Sequence, residues 1–257
     1  MAVEFSKNGA IGIITLDRPP ANSYEITFVG ELASAVQQAI DDDQVRVCVV
    51  RSASERFFSA GADIKAFLAN TSDGNIEMVN AGHQALRAIA NAPKVFIAEI
   101  AGHTLGGGLE IALSCDLRFG AQGDYKLGLP EINLGLLPGN GGTQRLSRLI
   151  GSSRALDLMI TGRTVSPAEA ADLGILDRLV PAATLTATSG EYCERLAGSA
   201  PLALAGIKEA VSHGVEEPLD DALDREVALI ADLFRSEDAA EGAAAFVEKR
   251  APTFRGR

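Results

Sequence analysis

The sequence predicts an α/β fold with crossover connections, and three observations carry that expectation. Strand-like and helix-like segments alternate through the first two-thirds of the 257 residues. The strand-like segments are short and apolar, as suits strands joined by helical crossovers. After about Ser152 the alternation stops and helical patterns take over.

Taken in order, Ala10 to Leu16 (AIGIITL) reads as a strand, closed by the turn Asp17-Arg18-Pro19-Pro20. Thr27 to Ile40 reads as a helix, because Phe28, Leu32, Ala35, Val36 and Ala39 recur near one face at helical spacing. Val45 to Val50 is a short buried strand, Glu77 to Ala90 a helix, and Lys94 to Ile100 a further strand rich in β-branched residues. Beyond Ser152, Pro167, Pro181, Pro201 and Pro218 mark helix starts, where a missing N–H has no partner to lose. Leu219 to Phe234 and Ala239 to Val247 carry apolar stripes. Periodicity fits those stripes equally to another subunit or to the chain's own core. The tract from Ala239 to Ala245 is plain helix-forming sequence.

Composition bounds the function. A chain that is 47% hydrophobic and 22% charged has the make-up of a globular domain. A net charge of −11 argues against a broad basic face for nucleic acid or an anionic membrane. Any phosphate-bearing ligand must then be held by a few local cations or by backbone N–H groups. Glu99, His103 and Glu110 interrupt the most apolar region, so no membrane span is expected. With neither a signal-like start nor a peroxisomal ending at Phe254 to Arg257, a cytoplasmic location is expected. Cys48, Cys115 and Cys193 read as buried free thiols; a catalytic one would need a histidine beside it in space.

Three segments could carry chemistry. In the first, Leu105-Gly106-Gly107-Gly108-Leu109-Glu110, glycines join a strand to an apolar helix, so backbone N–H groups there can approach a ligand closely. Glu110 falls in the first helical turn, the only charged residue between Glu99 and Asp116, where desolvation raises its pKa. A helix-start glutamate after a glycine turn is also an ordinary structural feature. The second segment runs from Gly128 to Leu146 and holds Glu131 as its only charged residue between Lys126 and Arg145. Two carboxyls facing one cleft would split their pKa values and leave one protonated, as acid–base addition of water requires. A glutamate that only satisfies loop N–H groups is the structural alternative. The third segment, Phe57 to Lys65, reads as an exposed loop of small residues ending in a cation suited to phosphate.

Several chemistries lack their motifs. There is no GxSxG elbow, no GK pair of a Walker loop, and no GxGxxG, since Gln144 stands where the third glycine belongs. His83, His103 and His213 are isolated from one another and from cysteine pairs. A metal site or dinucleotide fold is not expected.

The three segments, with SAGADIK at 59–65, LGGGLEIALSCD at 105–116 and PEINLGLLPGNGGTQRL at 130–146, together resemble the crotonase (enoyl-CoA hydratase/isomerase) superfamily. The likeness runs from the Ala10 strand to Phe246-Val247-Glu248-Lys249-Arg250. It implies a spiral of ββα units over residues 1–195, carrying the acyl-CoA site. It also implies a helical region over 196–257 that mediates trimers, usually paired into hexamers. Carried over position by position, the N–H groups of Ala62 and Gly107 would form an oxyanion hole. Ala60, Asp63, Ile64 and Lys65 would lie along the coenzyme A path, and Phe246 and Lys249 would reach a neighbouring subunit's coenzyme A. Glu110 and Glu131 would match the two catalytic glutamates of hydratases. The resemblance thus implies an enoyl-CoA hydratase of fatty-acid or related acyl-CoA catabolism, needing no cofactor because coenzyme A is part of the substrate. Isomerases of the family keep a glutamate at the Glu131 position but typically none at the Glu110 position, so having both favours hydration. The turn at 17–22 is one residue short of the common form and lacks its basic residue after the proline. Leu129 stands where short-chain hydratases carry glutamine, so acyl preference is not carried over.

Overall fold

The computed structural model describes residues 1–257. It opens with an antiparallel hairpin of β1 (Val3–Asn8) and β2 (Ile11–Leu16), turned at Gly9 with φ 59°. β1 escapes sequence reading because VEFSKN is half polar, as an edge strand tolerates. Helix α1 (Ile26–Asp41) buries the five apolar residues expected of it and packs on α3 (Ser72–Asn91). Between those helices lie β3 (Val47–Ser52), β4 (Phe57–Ser59) and the short α2 (Ile64–Ala69).

The same strand–strand–helix unit then repeats. β5 (Val95–Ile100) and β6 (His103–Leu105) lead into α4 (Gly107–Ser114). β7 (Leu117–Ala121) and β8 (Leu127–Gly128) lead through a 3-10 turn at Glu131–Leu134 to α5 (Gly142–Ile150). In each unit the first strand joins one sheet and the second strand joins another. The larger sheet has the order β1-β2-β3-β5-β7-β9, parallel from β2 onward, with β9 at Arg178–Val180. The smaller sheet is β4-β6-β8, all parallel. Two sheets fed alternately by one chain make the spiral that the resemblance implied. Its core centres on fully buried residues such as Phe28, Phe58, Phe96 and Phe119, each contributing about 1.5–3 kcal/mol by leaving water.

One expectation needs correction here. Segment 57–65 is not an exposed loop. Phe58 and Ser59 are fully buried in β4, and the Ser59 hydroxyl donates to the carbonyl of Asn22 at 2.8 Å. The burial was hidden because a three-residue strand is too short to show a period.

After α6 (Ser152–Thr161) and α7 (Pro167–Asp172), α8 (Leu185–Ala197) lies across β3, β5 and β7. Beyond it, α9 (Pro201–Gly214) and α10 (Leu219–Leu233) form a hairpin, followed by α11 (Glu237–Glu248). Proline stands at the first helical position of α7 and α9 and just before α10, as read from the sequence. The stripe of α10 is not covered by the chain's own core: Leu223, Val227 and Ile230 are exposed, as is Val211 on α9.

The three cysteines are free and buried, and burial pushes each thiol up to about 12, so none is a thiolate at neutral pH. His103 is also structural, its ring against Phe57 and its Nδ1 accepting from the N–H of Lys126 at 3.1 Å.

Candidate active site

Each strand of the small sheet ends where a piece of the site begins. β4 runs into Ala60-Gly61-Ala62, β6 into Gly106-Gly107, and β8 into Leu129-Pro130-Glu131. Parallel register sets these ends side by side, with Leu105 paired to Gly128 and the Gly106 N–H donating to Gly128 O at 2.9 Å. A site beyond the carboxyl ends of parallel strands is the usual outcome in α/β proteins.

Two backbone N–H groups at these ends point to no acceptor of the chain. Those of Ala62 and Gly107 donate in no backbone or side-chain hydrogen bond, and both residues line one cavity of about 410 Å³. Gly61 permits their approach. It has φ 83°, and a Cβ on it would stand 2.9 Å from Leu105 O and 3.0 Å from the Gly107 nitrogen, so only glycine fits. Gly107 heads α4, where unpaired N–H groups and the helix dipole both favour negative charge.

Glu110 sits in the first turn of α4 and is only 1% exposed. Its Oε1 accepts from the N–H groups of Asn140 and Gly142, each at 2.7 Å. Burial raises its pKa, while those two bonds and the Arg145 guanidinium pull it back. Glu131, at the start of the 3-10 turn, is prepared differently. Its Oε2 is buried with no hydrogen-bond partner. Burial pushes it up to about 7 against the pull of its own backbone N–H, and the charge of Glu110 adds a smaller push. Both glutamates line the cavity. Burial raises both, but donors counter the rise at Glu110 while none reaches Oε2 of Glu131.

Of the remaining expected residues, Ala60 and Ile64 line the cavity and Lys65 does not; it stands exposed on α2 between Ile64 and Ala66. Asp63 is also absent from the lining. Its carboxylate caps α2, accepting from the N–H groups of Lys65 at 3.0 Å and Ala66 at 3.3 Å, and pairs with Arg18 at 3.0 Å. The Arg18 guanidinium and the capping bonds hold Asp63 below the usual carboxylate range. The carboxylate thus shapes the loop. Phe246 is 86% exposed near the end of α11, with Lys249 capping that helix in a left-handed conformation, both outside the chain's own cavity. Leu129 is buried under Gly142 and does not reach the cavity either.

Sequence reading missed Tyr24 and Asn140. Both are buried, both line the cavity, and the Tyr24 hydroxyl donates to Asn140 Oδ1 at 3.0 Å. The available signal was faint: an asparagine amid glycines at 139–142, and a tyrosine just after a proline turn. Asn22 in that turn adopts φ 49° and binds Ser52 Oγ at 2.7 Å and Phe58 O at 3.0 Å, fixing where Tyr24 emerges.

Residues 6–257 match the enoyl-CoA hydratase/isomerase family. A probable enoyl-CoA hydratase of Bacillus subtilis is 38% identical over 258 residues, covering 99% of each chain. A carnitinyl-CoA dehydratase of Escherichia coli is 36% identical over 260 residues, covering 100% of this chain and 99% of its own. Among solved structures, an enoyl-CoA hydratase from Bacillus anthracis superposes with a TM-score of 0.96 at 34% identity, covering 100% of both chains.

Proposed function

Since the chain belongs to the enoyl-CoA hydratase/isomerase family, we propose that it adds water reversibly to a trans-2-enoyl-CoA, giving a 3-hydroxyacyl-CoA. It is a carbon–oxygen lyase acting on acyl-CoA thioesters. One observation carries the reading: two differently prepared carboxyls line a single cavity beside two unpaired N–H donors.

The chemistry follows from that arrangement. Attack of water at the β-carbon builds negative charge on the thioester oxygen. The N–H groups of Ala62 and Gly107 receive that charge, each donor worth ~10²–10³ in rate. Glu110, held toward its anion by Asn140 and Gly142, takes the proton from water. Glu131, neutral below about pH 7, delivers a proton to the α-carbon. Acid–base work of this kind contributes ~10²–10⁴. Lys65, exposed on α2, suits a phosphate of coenzyme A, while Phe246 and Lys249 suit a neighbouring subunit's ligand. The assembly proposed is a homotrimer or a dimer of trimers in the cytoplasm; no helix is long and apolar enough to cross a membrane.

Loss of the conjugated enoyl thioester of crotonyl-CoA, followed by absorbance, tests the reading. Glu110→Gln and Glu131→Gln should each cut hydration by ~10²–10⁴ while the protein stays folded. The double variant should lose much less than the product, since both groups serve one reaction. Undiminished hydration in Glu110→Gln would sink the two-glutamate mechanism. A second reading, Δ3–Δ2 isomerisation, is favoured by the partnerless Oε2 of Glu131, because one carboxyl suffices to shuttle a proton. Glu110→Gln that loses hydration but still isomerises a 3-enoyl-CoA would mark a bifunctional enzyme.

A further inference from the structure

Tyr24 touches the Gly61–Asp63 loop, Gly107 and Asn140, yet it has no part in the reaction as written above. Its N–H donates to Gly61 O at 2.9 Å and its carbonyl accepts from the Asp63 N–H at 2.9 Å, so its backbone brackets Ala62. Its hydroxyl rests on Gly107, where a Cβ would stand only 2.0 Å from the phenol oxygen. That hydroxyl also donates to Asn140 Oδ1 at 3.0 Å, in a contact where both side chains are buried. Asn140 in turn gives its backbone N–H to Glu110 Oε1 at 2.7 Å and its Nδ2 to Val79 O at 3.1 Å.

A latch is needed at this point. Asn140 is flanked by Gly139, Gly141 and Gly142, with Gly141 at φ 101°. A run so rich in glycine has many conformations open to it. Glu110 depends on two N–H groups from that run. The Arg145 guanidinium holds Asn140 O at 2.9 Å, and the Tyr24 phenol holds its side chain. Burial, and then the charges of Glu110 and Glu131, keep the phenol neutral, so at working pH it remains a donor.

We propose that Tyr24 is a positioning residue that fixes the two N–H donors and Glu110 as one rigid unit, acting on Glu110 through Asn140. The proposal rests on the hydratase reading for its rate measurement but not for its binding measurement. In the full-length protein, Tyr24→Phe keeps the ring and removes only the hydroxyl. Its kcat with crotonyl-CoA should fall about 3- to 10-fold, the size of one buried hydrogen bond, with KM within about twofold. The acidic limb of its pH profile should move to higher pH, because a loosened N–H donor leaves Glu110 easier to protonate. The other charges facing Glu110, those of Glu131 and Arg145, are unchanged by the substitution. A merely structural loss would lower the melting temperature without moving that limb.

Asn140→Ala should reproduce the same kcat loss, and the double variant should fall no further than the worse single one. Asn140→Ala also serves if Tyr24→Phe does not fold. Binding of acetoacetyl-CoA, read by the absorbance of its enolate, needs no turnover and should weaken in both variants. A wild type inert to crotonyl-CoA whose enolate band still weakens in Tyr24→Phe would overturn the hydratase reading and support the latch. An unchanged kcat, limb and enolate band in Tyr24→Phe would overturn the latch, as would a double loss equal to the product of the singles.

Discussion

At Glu131 burial and a neighbouring charge act in the same direction, and the sign of their effect on stability follows. The folded value, about 7, lies above the ordinary carboxyl value. Stability from this group is therefore full below its unfolded pKa and is lost as pH rises through about 7. Glu131→Gln should accordingly melt above wild type at pH 8, by ~2–4 °C for each kcal/mol recovered, with the gap closing by pH 4. Calorimetry at the two pH values checks this, and an equal gap at both would remove the ionisation penalty. Part of this was legible in the sequence. A lone carboxyl among leucines and glycines announces desolvation, and Glu110 and Glu131 could be picked out that way. The partner of each could not. Nothing in PGNGG says that the N–H groups of Asn140 and Gly142 turn back onto Glu110, and nothing in NSYE says that a phenol crosses to Asn140. At Asp63 likewise, the motif does not tell that the carboxylate caps α2 and pairs with Arg18.

Among elements, the side chain of Lys208 ties α9 to the core. Lys208, with a side chain 7% exposed, pairs with Asp116 at 2.9 Å and donates to Lys94 O at 2.9 Å and Ile89 O at 3.1 Å. Asp116 also accepts from the Phe96 N–H at 2.7 Å, so the ion pair joins α9 to α3 and β5. Burial raises the Asp116 pKa against the pull of Lys208. Removing the lysine would leave that carboxylate half-buried and unpaired. Lys208→Met should destabilise the protein by roughly 3 kcal/mol, the low end for breaking a buried pair, given the partial exposure of Asp116. Denaturant unfolding measures it, and a loss near zero would show that α9 is held by packing alone. Long, strongly periodic elements such as α1 and β5 were readable because a period needs room to repeat. The two- and three-residue strands β4, β6 and β8 were not, although they are the ones that build the site.

At the scale of the whole molecule, the exposed stripes of α9 and α10 ask for a partner. Val211, Val215, Leu219, Leu223, Val227 and Phe234 are 48–79% exposed in the single chain, a row of apolar side chains that isolated soluble proteins seldom leave open. Closed cyclic assembly would cover it, and light scattering at micromolar concentration should give three or six times the 26.8 kDa chain mass. A monomer mass would contradict the assembly and, with it, any role for Phe246 and Lys249 at a neighbour's ligand. The small sheet has a consequence of another kind. Its three strands align the site segments by hydrogen-bond register, so the wiring between them is free to vary. Added residues at the exposed Asn70–Thr71 junction between α2 and α3 would leave the chemistry in place. Deleting one residue within β4 would turn every following side chain to the opposite face and carry Ala62 away from Gly107. The protein thus separates the length of its connections from the precision of its site, and tolerance to insertion should be read strand end by strand end.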